Sequence, residues 1–258
     1  MRIWYDNEAN KGTITAESEE TGYPAINLQN TQLSRTTRST NVSSVQTWDW
    51  DAGAGVTIAG DSISILGHNI SSAATAIQFI MAATSTFAGA TTSVVLTHNA
   101  GLMSAYFAAD SQRYSRVLID DSSNSDEYIE MGAVFIASYL HVTGGVGVDF
   151  PFQVLDSSTG GYSNTGQFFG DEGDTLDLYS FAMPFINNAL KKSFITMFNE
   201  VKTVKPIIMD FNESAHSSIL PLYCRFNEPI SYNHIPVPVS GTDWDFHWNA
   251  SISLKEIK

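Results

Sequence analysis

Between residues 13 and 140 the chain is a series of short β-prone runs, separated by clusters of Gly, Ser, Asn and Asp. Strands are predicted over 45–49, 62–67, 76–82, 93–97, 114–120 and 128–136. Several alternate with a period of two. In the run SVQTWDW, Gln46, Trp48 and Trp50 point to one face, and Val45, Thr47 and Asp49 to the other. Strands at this spacing, with turn residues between them and no helical period, predict a jelly-roll β-sandwich.

The pattern changes at the glycine run GGVG, residues 144–147, which is read as a boundary because clustered glycines permit unusual backbone angles. The expected organisation is a jelly-roll over 1–143 and a β-rich domain over 144–258. The second domain is expected to hold a strand near 150–155 and a polar, glycine-rich loop over 156–174. An amphipathic helix is expected near 184–203, beginning at Pro184 and turning Phe185, Ala189, Phe194, Met197, Phe198 and Val201 to one side. It closes on the cleanest alternation of all, Trp244, Phe246, Trp248, Ala250, Ile252 and Leu254, which predicts a half-buried strand. The 156–174 loop is too long and glycine-rich to be held by its own contacts. That loop and the polar face of the last strand are therefore expected to be assembly surfaces.

Composition adds two constraints. Charged residues make up 16% of the chain, against about 25% in an average soluble domain, and the deficit is filled by small polar residues that favour strands and turns. The formal net charge is −14, from 13 Lys plus Arg against 27 Asp plus Glu, so the long-range field repels phosphate backbones. No nucleic-acid partner is expected. No window is apolar enough for a membrane span, and the N-terminal MRIWYDNEANKG lacks the apolar stretch of a cleaved signal.

Candidate chemistry is sparse. The six histidines, His68, His98, His141, His216, His234 and His247, show no metal-binding spacing. There is no Gly-x-Ser-x-Gly elbow, and Cys224 sits in an alternating run as a small core residue. No enzymatic activity, cofactor or metal is therefore expected. The acidic turn over 120–127 is the place where a structural calcium would be sought. The aromatics Trp4, Tyr5, Trp48, Trp50, Tyr106 and Tyr114 are candidates for stacking on a sugar, with Trp48, Trp50 and Tyr106 as the possible glycan contacts. For Trp48 and Trp50 an inward core face explains the shared direction equally well.

Three phrases carry a resemblance: TGYPAINLQNTQLSRTTRST, ISILGHNISSAATAIQF and RYSRVLIDDSSNSDEYIEMGAVFIASYL. In this order they resemble bacteriophage virion proteins with a discoidin-like, or galactose-binding-like, domain, over about residues 20–140. The second half resembles, in layout, the tail-facing domain of distal-tail or minor-tail proteins. The resemblance implies a structural component of a phage tail tip or baseplate that assembles as a homo-oligomer with other tail proteins. Such a protein is made in the host cytoplasm and resides in the virion. The alternative it implies is a carbohydrate- or receptor-binding module of the adsorption apparatus, with a host surface glycan as partner. A secreted glycan-active enzyme is a third reading, which a pair of opposed carboxylates would favour.

Overall fold

A computed structural model describes residues 1–142, 152–156, 158–162, 168–171, 175–211, 221–238 and 244–257. The chain divides into two compact units, one of Asp6–Tyr139 and one that joins Met1–Tyr5 to Leu140–Lys258.

The first unit is a sandwich of two antiparallel sheets. The larger runs Thr13–Ala16, Gln46–Asp51, Tyr114–Asp120, Ala76–Ala82, Thr92–Val95; the smaller runs Ala133–Ala137, Ile58–Leu66, Leu102–Gln112. Both sheets feed one core. Trp48, Trp50, Phe79, Val117 and Ile119 come from the larger sheet, and Ile63, Ile65, Met103, Val134 and Ile136 from the smaller. Burial alternates strictly along Gln46–Asp51 and Tyr114–Asp120, as expected for strands with one wet face. The mainly β fold read from the sequence, a sandwich followed by a β-rich unit with a helix, is the fold observed.

Residues Ala25–Gln29 form a 3-10 helix, whose period of about three buries Ala25 and Leu28 together and leaves Ile26 53% exposed. An extended lead-in would have turned Ile26 inward with Leu28; the 3-10 turn does not. Gly132, next to the strand at 133–137, lies so close to the 30s segment that a Cβ there would sit 2.8 Å from the Leu33 carbonyl oxygen. The glycine thus permits the loop that carries Leu33 to lie against the sandwich.

The second unit is built on an eight-stranded sheet, ordered Leu140–His141, Arg2–Trp4, Ile207–Asp210, Leu222–Phe226, Trp244–Glu256, Thr175–Ile186, Phe152–Asp156, with Ser231–Pro238 also paired to Trp244–Glu256. The N-terminal strand therefore belongs to this sheet and not to the sandwich, and the units part at Tyr139/Leu140, ahead of the glycine run. Residues 144–147 themselves lie outside the described residues.

The helix spans Asn188–Val201 and buries Phe194, Met197 and Val201. Its start is later than the sequence indicated. Pro184 to Ile186 finish the preceding strand, Phe185 takes a positive φ of 59° at a register shift, and Asn187 caps the helix by accepting from the Leu190 amide at 2.8 Å. The expected 156–174 loop holds a hairpin, with Thr159–Tyr162 paired to Phe168–Asp171 and Gly160 opposite Gly170. Residues 157, 163–167 and 172–174 lie outside the described residues. The last strand buries Ala250, Ile252 and Leu254 and is paired along both of its edges, so it offers a neighbour a face and not a free edge. Among the described residues no helix is long and apolar enough to cross a membrane.

Candidate functional site

One end of the sandwich gathers most of the polar chemistry. Gln46 pairs with Ile119, which pairs with Ile77, so the loops entering or leaving these positions lie together. Ser71 reaches the carboxylate of Asp121, and Asn69 reaches Asp126 and the Tyr128 carbonyl, which ties the 67–75 and 121–130 loops to each other.

Arg38 organises the segment over 20–38. The Arg38–Glu130 register of the short strand pair Thr37–Arg38 and Glu130–Met131 sets its guanidinium against Glu130, at 2.7 and 3.1 Å, and near Glu20 at 3.4 Å. The rings of Tyr23 and Tyr128 lie at 4.0 and 4.2 Å from its carbon, so the planar cation is held between two aromatic faces. Beside Tyr23 is an open cavity of about 290 Å³ lined by Gly22, Tyr23, Asn27, Ser34, Arg35 and Thr36. Its far wall is pinned where the Asn27 amide donates to the Thr36 carbonyl at 2.7 Å. The lining thus joins Tyr23, whose ring packs against the Arg38 guanidinium, to an asparagine, a serine, a threonine and an arginine.

A second feature of this end is a pair of imidazoles. His68 Nε2 lies 2.9 Å from the Asn99 carbonyl and His98 Nε2 lies 3.0 Å from that of Ile70, with the rings edge to face at 5.9 Å. Each histidine thus bonds the loop of the other. Burial pushes the His68 pKa below its ordinary value.

The expected glycan contacts fall elsewhere. Trp48 and Trp50 are fully buried, and their indole N–H groups donate inside the fold, to Thr37 Oγ1 at 3.3 Å and to the Ala9 carbonyl at 3.2 Å. Their common face is the core, so neither can form a stacking platform. Tyr106 is half-buried with its ring edge to face with Tyr139 at 5.9 Å. Tyr114 lies beneath the Arg113 guanidinium, and Trp4 is buried in the second unit. None of these lines the cavity at 22–36.

Asp121, in the acidic turn, is buried and accepts from the Ser71 amide and hydroxyl and from Asn124. Its oxygens are thus occupied by the loop's own donors. Among the described residues no group of three or more His, Cys, Asp or Glu side chains is placed to hold a metal. Cys224 is buried, and burial pushes its thiol well above the ordinary range. His216 lies outside the described residues. Sequence reasoning quoted the segment that holds Tyr23, Asn27, Ser34 and Arg35 for its fold, and missed it as a site. The available signal was the mixture of Tyr, Asn, Ser and Arg within a turn-rich stretch.

No protein-family model matches the chain, and no curated protein matches it. Among solved structures it is similar to the lectin domain of lectinolysin complexed with Lewis B antigen, at 12% identity and a TM-score of 0.42, over 52% of this chain and 96% of that one. It is also similar to a Paenibacillus sp. chitosan-binding module in complex with chitotriose, at 15% identity and a TM-score of 0.41, over 51% and 99%. A third is the family 32 carbohydrate-binding module from C. perfringens in complex with galactose, at 12% identity and a TM-score of 0.40, over 54% and 99%.

Proposed function

We propose that the sandwich is a non-catalytic carbohydrate-recognition module and that the cavity at residues 22–36 is its binding site. The observation that carries this reading is the cavity lining itself, which brings Tyr23 together with Asn27, Ser34 and Arg35 around a space of about 290 Å³. Sugars have apolar C–H faces and polar edges, and are held by an aromatic surface together with a few convergent hydrogen-bonding groups. The site is prepared in advance, because the Arg38 guanidinium packs on the Tyr23 ring and holds it in place. The similar structures are themselves sugar-binding domains; for this chain the reading rests on the cavity.

The non-catalytic part has its own support. Glycoside hydrolysis uses two carboxyl groups flanking the bond, whereas the cavity lining contains none, and the acids beside it, Glu20 and Glu130, are bonded to Arg38.

The test is a glycan array probed with the full chain, followed by calorimetry on the retained glycans. Changing Ser34→Ala together with Arg35→Ala should weaken binding by at least about tenfold, equivalent to about 1.4 kcal/mol, with an unchanged melting temperature. Retention of no glycan, or binding indifferent to the double change, would sink the reading.

A second reading is an oligomeric structural subunit of a bacteriophage tail tip, in line with the sequence resemblance. Phe185 favours it, since its ring is 60% exposed on a residue at φ 59°, a strained position that a folded chain keeps only where its surroundings fix it. On that reading the chain elutes as an oligomer, and Phe185→Ser releases monomer. A wild-type chain that stays monomeric by light scattering at high concentration speaks against it.

A further inference from the structure

We infer that the ligand of the 22–36 cavity carries a carboxylate, as a uronic or sialic acid does, and that Arg35 is the residue that selects it. The inference rests on the carbohydrate-binding reading and adds the class of sugar.

Arginines of the sandwich are mostly paired with acids. With 27 acidic side chains against 13 basic ones, carboxylate partners are in excess. In the sandwich Arg113 takes Asp51 at 2.6 and 2.8 Å, Arg116 takes Asp49 at 2.6 Å through two nitrogens, and Arg38 takes Glu130. Arg35 differs: it is exposed, it lines the cavity, and among the described residues it makes no ion pair. The cavity lining holds no acid that would compete for its fork.

A guanidinium presents parallel N–H donors whose geometry matches a carboxylate bidentately, and it stays charged at every physiological pH. The neighbouring groups suit the rest of an acidic sugar. Ser34 and Thr36, which carry hydroxyls, also line the cavity, and the Asn27 amide nitrogen donates to the Thr36 carbonyl, which leaves its oxygen to accept from a ligand hydroxyl.

The net charge of −14 opposes an anionic ligand at a distance. Salt screens that field beyond roughly 8 Å at physiological ionic strength, so the contact with Arg35 decides the bound state. A single arginine matches a single negative charge. Phosphate, with nearly two charges and more acceptor oxygens, would call for more than one cation.

The experiment is calorimetric titration of the full chain with matched pairs, glucuronate against glucose and galacturonate against galactose, with N-acetylneuraminate and a sulfated galactose alongside. The acid of a pair should bind at least about tenfold more tightly than its neutral partner. Arg35→Gln should abolish that difference, so that within the variant the acid binds no more tightly than its neutral partner, and Arg35→Lys should retain part of it. Unchanged circular dichroism in both variants certifies the fold. Equal binding of acid and neutral sugars, still lost on Ser34→Ala, would overturn the carboxylate inference and leave the carbohydrate reading standing. A sulfated sugar preferred over both uronates also overturns it. No binding of any sugar at millimolar concentration removes both.

Discussion

His68 and His98 show how a pair of side chains can lock two loops and make the lock depend on protonation. Each faces a backbone carbonyl with Nε2, which requires the Nε2–H tautomer and leaves Nδ1 bare. Nδ1 of His68 is buried without a hydrogen-bond partner, so a second proton there would find no acceptor, in a ring whose neighbour at 5.9 Å is another imidazole. The carboxylates of the adjoining turn give little relief, since Asp121 is engaged by Ser71 and Asn124, and Asp126 by Asn69. Burial, followed by repulsion from His98, lowers the His68 pKa from 6.5, although the backbone bond to Asn99 works the other way. The sign follows from linkage. Below about pH 6.5 the unfolded chain binds a proton that the folded chain refuses, so the stability present above the unfolded pKa is lost as pH falls through the folded pKa. The melting temperature should therefore drop as pH is lowered from about 7.5 to about 5, and His68→Gln, which keeps a donor for Asn99, should flatten that drop. An identical pH profile for the variant and the parent would show that His68 does not contribute.

At the scale of elements, the period of two was enough to place most of the sandwich strands, because one face of each meets the core and the other meets water. It also put Gln46, Trp48 and Trp50 on one face, which is correct. It could not say whether that face was core or platform. The second sheet decides that, by closing the same core with Ile63, Ile65 and Val134. The candidate site was hidden for a related reason. Tyr23 and Arg38 are separated in sequence from Tyr128 and Glu130, and the pairing of Thr37–Arg38 with Glu130–Met131, extended by the bonds between Ser39 and Ile129, brings them together. The helix was legible in its apolar spacing but not at its start, where Pro184 suits a first helical turn as well as it suits the end of a bulged strand. Asn187 sets the true start. Its replacement, Asn187→Ala, should cost about 1 kcal/mol of stability and Asn187→Ser much less, measured by urea unfolding. Equal losses for the two would show that the cap bond to the Leu190 amide is not what matters.

Across the whole molecule, the chain begins one unit, leaves to build another, and returns. Each unit has its own apolar cluster, and Met1 and Ile3 belong to the cluster of the second. The strand Arg2–Trp4 lies inside that unit's sheet, between Leu140–His141 and Ile207–Asp210, with Ile3 opposite both Leu140 and Met209. A sheet cannot be completed there until residues on either side of the sandwich have been synthesised, so the first five residues should govern the stability of the C-terminal unit and not of the sandwich that follows them directly. Ile3 is fully buried, and truncating such a residue to alanine removes contacts and leaves a void at a cost of about 2–5 kcal/mol. Ile3→Ala should therefore speed hydrogen exchange in peptides covering 207–210 and 222–226, measured by mass spectrometry, while peptides covering 46–51 and 114–120 keep their protection. Sandwich peptides losing protection to the same extent would mean that the two clusters unfold as a single cooperative unit.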